Sequence, residues 1–265
     1  MKNKAKSNRT KTVIATGILT LSVLLMFTFA TALTYDVMTT RKAQNFYENV
    51  AANITVHAMT QVAHMRTAES TALTESATKP FIDFDVMREE FPDIIGWIKS
   101  EGTPINYPIV QGTDNEFYLN HLPNRTQNRL GSIYMDYRHP ADFSGRSTFI
   151  YGHNTPSGKM FGTLSYYKCQ EFFEKHSSML IFTETQIYEL VLFVGYIIDS
   201  NQELPPTQFS SQGEFDKIIN DIRHRSIFES DVEVTYYDRL VFLCTCTTSG
   251  PRSERLIIGG ILVEL

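Results

Sequence analysis

Hydrophobic and polar positions change rhythm along the chain. From Gly96 onward they fall into short apolar or alternating runs, GWIKS, INYPIVQ, GSIYMDY, STFIYGH, SMLIFTE, YELVLFVGYII, VEVTYY, RLVFLCT and RLIIGGILVEL, broken by Gly, Pro, Asn and Asp. Runs of this length, rich in Ile, Val, Tyr and Phe, predict strands. About eight strands with few helices between them predict a mainly β fold, a closed or nearly closed barrel without exposed edges. Two stretches interrupt it with helical character. One follows Met160; the other runs from about Ser211 to Phe228 with Phe215, Ile218, Ile219 and Ile222 on one face. A short helical pattern through Phe84, Met87 and Phe91 ends around Pro92 and opens the globular part near Pro80.

The N-terminus has a different texture. Lys2, Lys4, Lys6, Arg9 and Lys11 precede an uncharged, mostly apolar run from Thr12 to Tyr35, long enough for a helix that crosses a bilayer. A cleaved signal peptide is the alternative, since Ala30-Thr31-Ala32 offers small residues at a cleavage spacing, but the run exceeds an h-region of about 7 to 15 residues. The basic residues before the run outnumber Arg41 and Lys42 after it, which predicts an inside N-terminus and an extracytoplasmic remainder. The expected organisation is a basic tail over 1–11, a membrane helix over 12–35, a juxtamembrane helix and spacer over 36–79, and a globular domain over 80–265. Nothing in the chemistry expected of that last domain calls on the segments before it.

A net charge of -5 over 265 residues gives no reason to expect nucleic acid as a partner. Three cysteines in an exported domain make no disulfide scaffold and leave at least one thiol free to react. A cysteine nucleophile needs a base or an ion-pair partner. His57 and His64 fall in the juxtamembrane region, and His121, His139, His176 and His224 sit in loop or polar helical contexts that suggest solvated side chains. His153 differs, because it lies where the strand Thr148 to Tyr151 gives way to a loop. Leu240 to Leu243 likewise form a strand that ends at Cys246, and Arg255 heads the next one. A guanidinium beside a thiol is what acyl transfer wants, since sulfur attack on a carbonyl builds negative charge on oxygen. Residues two apart on a strand share a side, so Cys244 and Cys246 are equivalent by periodicity. Position separates them: Cys246 is at the strand exit, and Cys244 reads as a small packed hydrophobe. Arg252 follows Gly250-Pro251 in a turn, which makes Arg255 the better-held cation.

Several stretches together resemble the sortase family, and more narrowly class B sortases: Asp93 to Ile98, Asn106 to Gln111, Asp114-Asn115-Glu116-Phe117-Tyr118-Leu119, Gly131 to Tyr137, Tyr151-Gly152-His153-Asn154, and a Thr-Cys followed by an arginine heading an apolar strand. The resemblance implies an eight-stranded sortase barrel with additional helices and a transpeptidase needing no organic cofactor or metal. It implies that His153, Cys246 and Arg255 are catalytic, that the backbone N–H of Thr247 helps to hold the oxyanion, and that Thr245 and Asn154 contact substrate. Cys244 stands where relatives often carry serine. The implied partners are exported proteins with a C-terminal sorting signal, cut after threonine, and an acceptor amine from the peptidoglycan cross-bridge or from a pilin lysine. Two other readings are weaker: a zinc site built on Cys244, Cys246, Cys169 and a histidine lacks the usual ligand spacing, and a non-catalytic tethered barrel leaves the Cys, His and Arg unexplained.

The topology has a direct test. Protease added to intact protoplasts should remove the domain beyond the apolar run; protection of that domain, or a mature chain beginning near Leu33, would overturn the membrane-anchor reading.

Overall fold

The computed structural model describes residues 2–68, 82–199, 201–246 and 254–265. By internal contacts the chain forms two units, Met1–Phe46 and Tyr47–Leu265. Helix α1 covers Lys2–Ala68, and its portion Thr16–Ala51 is long and apolar enough to cross a membrane. Ile18, Leu24, Phe27 and Phe29 stand exposed on it. The hydroxyls among them are satisfied within the helix: Thr20 donates to the Gly17 carbonyl at 2.9 Å, Ser22 to Leu19 at 2.8 Å and Thr28 to Leu25 at 2.9 Å. Such bonds remove the cost of an unsatisfied polar group in hydrocarbon. The spacer expected up to Lys79 lies, from residue 69 on, outside the described residues.

The second unit is built on eight strands: β1 (Ile94–Lys99), β2 (Asn106–Val110), β3 (Ile133–Met135), β4 (Ser147–His153), β5 (Ser178–Phe182), β6 (Ile187–Asp199), β7 (Leu240–Cys246) and β8 (Glu254–Glu264). They close into a barrel in the order β1-β2-β3-β4-β7-β8-β6-β5. The pairs β2/β3 and β4/β7 are parallel and the others antiparallel. Parallel neighbours need long crossovers, and these carry the helical insertions. A short 3-10 turn (Phe117–Leu119) lies between β2 and β3, and helices α3 (Gln170–Lys175) and α4 (Gln212–Arg223) lie between β4 and β7, while α2 (Phe84–Glu90) precedes β1. Helix α2 starts at Asp83, whose side chain accepts from Val86 N at 3.2 Å, and stops before Pro92 as expected.

Helix α4 begins with a reciprocal cap. Ser211 Oγ accepts from Glu214 N at 3.2 Å, and the Glu214 carboxylate accepts from Ser210 N at 2.6 Å. Its Phe215, Ile219 and Ile222 are buried in one cluster with Phe149 and Tyr151 of β4, Phe242 and Cys244 of β7, Ile257 of β8, and Tyr196 and Ile198 of β6. A helix cannot fit inside an eight-stranded barrel, so this cluster occupies the outer face, and the alternate residues point inward. Each large buried side chain of this kind contributes about 1.5–3 kcal/mol.

Two expectations fail here. The run VEVTYY forms no strand; its alternation is real, but Val232, Val234 and Tyr236 pack against the α4 cluster, and a closed ladder has no edge left to pair with it. His139 is buried, not solvated, with its ring 5.6 Å from that of Phe149. Its loop is pulled in by Gln111, whose Nε2 donates to the carbonyls of Asp136 (3.0 Å) and His139 (2.9 Å).

Burial lowers the His139 pKa, against a raising influence from Asp136 and with a further lowering one from Arg138. Asp136 is itself fully buried. Burial raises its pKa, yet hydrogen bonds from Arg138 and the guanidinium charge outweigh it and hold the carboxyl below the usual range. For His139 the unfolded chain takes up the proton first, so stability falls as pH drops below about 6.5; for Asp136 the loss begins only below about 3.9. Thermal melting of the full chain in detergent should therefore show an early decline between about pH 7 and 5.5, flattened in His139→Gln. An unchanged slope in that variant would mean that His139 does not titrate with folding.

Candidate active site

Three rows cross the outer face of the barrel in register. Phe149, Phe242 and Gly259 form the first, Tyr151, Cys244, Ile257 and Tyr196 the second, and His153, Cys246, Arg255 and Ile198 the third. The first two rows are apolar and covered. The Phe149 and Phe242 rings stack at 5.3 Å, and a Cβ on Gly259 would stand 2.8 Å from the Phe242 ring, so only glycine lets that ring lie across β8. In the third row burial gives way: His153 and Arg255 are half-buried. Adjacent strands lie about 4.7–4.9 Å apart, so the backbones of His153, Cys246 and Arg255 are immediate neighbours across the ladder.

The His153 ring is fixed from outside the sheet. Its Nε2 lies 2.6 Å from the Leu119 carbonyl. A carbonyl only accepts, so Nε2 carries the proton of this contact and Nδ1 is the ring nitrogen that the carbonyl does not engage. The turn that presents this carbonyl explains the motif around it. Asp114 accepts from the backbone N–H groups of Glu116 and Phe117, both at 2.8 Å; these bonds, Phe117 first, lower its pKa. Asn115 Oδ1 accepts from Tyr137 N at 3.1 Å. The buried Tyr118 donates its hydroxyl to Asp93, which also receives both arms of Arg125 at 2.9 and 2.8 Å. Ser132 N donates to the Tyr118 carbonyl at 2.9 Å. No side-chain pattern could announce the Leu119 acceptor, because it is a backbone group.

The other candidates separate. Cys244 is fully buried in the second row, where the small thiol fits between Tyr151 and Ile257. Thr245 is turned to the opposite face, fully buried, with its hydroxyl 3.4 Å from the Leu256 carbonyl; its side chain does not share the face of His153. Asn154 is half-buried and bridges Met160 through the backbone. Cys169 is exposed at the start of α3. Thr247 and Arg252 lie outside the described residues. One strand beyond Arg255, a cleft of about 450 Å³ opens between β6, residues 202–206 and α4, lined by Tyr196, Ile198, Leu204, Pro205, Ile222 and Arg225.

No family model matches the sequence. The chain is 31% identical over 183 residues to Sortase B of Staphylococcus aureus (strain NCTC 8325 / PS 47), covering 69% of this chain and 75% of that protein. It is 33% identical over 172 residues to Sortase B of Listeria monocytogenes serovar 1/2a (strain ATCC BAA-679 / EGD-e), covering 64% and 70%. Among solved structures, a Staphylococcus aureus sortase B-substrate complex superposes with a TM-score of 0.73 at 27% identity, over 86% of this chain and 99% of that one. A Bacillus anthracis protein similar to sortase B gives 0.64 at 32%, over 74% and 88%.

Burial sets Cys244 and the inward Thr245 apart from the third row. Cys244→Ala should cost about 1–2 kcal/mol of stability for the small cavity and leave turnover within about threefold. Thr245→Val, which loses only the hydroxyl contact to the Leu256 carbonyl, should leave turnover within about twofold. A loss of two orders of magnitude in either folded variant would show that its side chain takes part in the reaction.

Proposed function

The chain belongs to the sortase B family and is a cysteine transpeptidase, and from that premise we propose which residues carry its chemistry and what they act on. Cys246 is the nucleophile, His153 its proton partner and Arg255 the cation that meets the developing charge. The single row His153, Cys246, Arg255 across three paired strands is the observation that supports this assignment.

The reaction begins with the Cys246 thiolate attacking the carbonyl carbon of a threonine in a C-terminal sorting motif. The carbonyl electrons move to oxygen, where the Arg255 guanidinium and the Thr247 backbone N–H stabilise them. Collapse expels the downstream amine, which takes a proton from His153 Nδ1 while Nε2 keeps its bond to Leu119. A thioacyl-enzyme remains. An amine of the peptidoglycan cross-bridge then attacks the thioester, forms the new amide and returns the thiolate, its proton passing back to His153. The cleft beside Ile198 takes the residues upstream of the threonine, with Asn154 at the opposite flank. That a Staphylococcus aureus sortase B forms a substrate complex supports a substrate-binding site in this fold.

The enzyme works outside the cytoplasmic membrane, with residues 80–265 as its catalytic domain and a single N-terminal span over 12–35. Five basic residues before the span and the exposed apolar surface of α1 support that placement.

The experiment is adduct trapping. The full chain is incubated with an exported protein that carries a sorting signal and is encoded beside it, and the acyl-enzyme is mapped by mass spectrometry. The acyl group is expected on Cys246. Cys246→Ala should abolish it, His153→Ala should lower turnover by about three orders of magnitude, and Arg255→Ala by about two. An acyl group on Cys244, or full turnover without Cys246, would refute the assignment.

A further inference from the structure

Helix α1 reaches the catalytic histidine through two sets of contacts made by one turn, Tyr47 and Glu48. Tyr47 is buried, 4% exposed, and donates its hydroxyl to the Gly131 carbonyl at 2.7 Å. Gly131 has φ +61°, and a Cβ there would stand 2.5 Å from the Leu119 carbonyl oxygen and 2.8 Å from that of Tyr118. Only a glycine can pass so close beneath the turn. The next residue, Ser132, ties the same turn down through Tyr118, and its Oγ donates to the His121 carbonyl at 2.7 Å. The Leu119 carbonyl is the group that holds His153 Nε2.

The second set approaches the same histidine from its backbone. The Tyr47 ring meets the Tyr107 ring edge-on at 5.2 Å. Tyr107 in turn accepts from Met160 N at 3.0 Å, and Glu48 pairs with Lys159 at 2.8 Å. Residues 159–161 flank the catalytic strand end: Met160 bridges Asn154, and Phe161 N donates to the His153 carbonyl at 3.1 Å. Both the ring and the backbone of His153 are therefore braced by segments that rest on Tyr47.

We propose that Tyr47 is a positioning residue for the transpeptidase reaction, holding His153 at the orientation in which it pairs with Cys246. Tyr47 touches neither substrate nor thiol and acts only through the Gly131 and Met160 segments. The proposal rests on the assignment of Cys246 and His153 given above, and it places a catalytic requirement in the helix that also contains the apolar span. A chain beginning at Pro80 would lack it.

The test uses the full chain in detergent and iodoacetamide as the probe, with the alkylation rate of each cysteine read by peptide mapping. The exposed Cys169 serves as internal reference. A thiol paired with His153 should outpace Cys169 at about pH 6.5 in the wild type, because thiolate is the reacting form. Tyr47→Phe, which keeps the ring and loses the hydroxyl, should slow Cys246 at least ~3-fold at about pH 6.5 and leave it unchanged at about pH 9, where thiols ionise without help. Its melting temperature should fall by no more than about 4 °C, since a net hydrogen bond contributes only about 1 kcal/mol. Equal rates in Tyr47→Phe and wild type at both pH values overturn the positioning role and leave the Cys246 assignment intact. A wild-type Cys246 no faster than Cys169 overturns the assignment itself. Should Tyr47→Phe melt early, Gly131→Ala, which crowds the Leu119 carbonyl directly, decides by the same comparison.

Discussion

The parallel ladder between β4 and β7 is the constraint on which the site depends. It pairs seven consecutive positions, from Ser147 with Leu240 to His153 with Cys246. Side chains alternate along a strand, so a slip of one residue would turn Thr245, now inward, out beside the histidine. The apolar rows below hold the register against such a slip. Phe149 stacks on Phe242, Phe242 lies over Gly259, and inward Gly152 leaves room for Ile133 and Phe161, whose atoms would stand 2.5 and 2.8 Å from an added Cβ. The pairing of positions 153 and 246 and the packing of the rows below them are thus consequences of one hydrogen-bonded register.

Closure of the barrel governs what the remaining segments can do. With every strand edge paired, insertions between strands must pack on the outer face, and α4 does so with Phe215, Ile219 and Ile222. Its last turn then secures the extended stretch that follows, because Arg223 donates to the carbonyls of Ser230 and Val232. On β4 and β8 the cover ends one row short of the strand termini, at His153 and Arg255, while Ile198 of β6 stays within it. Cys244 consequently sits under the helix among tyrosines, while the row of Cys246 meets the cleft.

Polar groups around the site are arranged to hold backbone carbonyls in place more than to present charge. Asp114, Tyr118, Asp93, Arg125, Gly131 and Ser132 all converge on the turn whose Leu119 carbonyl meets His153. A backbone acceptor held in this way fixes the tautomer of the imidazole without adding a negative charge beside it, which a carboxylate in the same place would do. The residues of the DNEFYL stretch and of the Gly131-Ser132 pair are explained by that requirement, although none of their side chains is proposed to meet the substrate.

Local pattern was sufficient for the elements. The apolar runs mark all eight strands, Ser211 marks the start of α4, although that helix stops at Arg223 and not near Phe228, and the strand ends near His153, Cys246 and Arg255 are visible because apolar texture stops or begins there. The sequence also marked Cys244 as a packed residue of its strand, since depth within a strand is a local property. What it could not determine were relations between segments distant along the chain. VEVTYY has a strand's alternation yet finds no open edge, and His139 looks solvated until Gln111 draws its loop inward. The row that joins residues 153, 246 and 255 depends on a parallel pairing over 93 positions. The carbonyl of Leu119 and the hydroxyl of Tyr47 gain their significance only from what the fold sets against them. Periodicity reports which side of an element is buried; pairing register and backbone hydrogen bonds are decided by closure of the whole barrel, and they alone put these groups together.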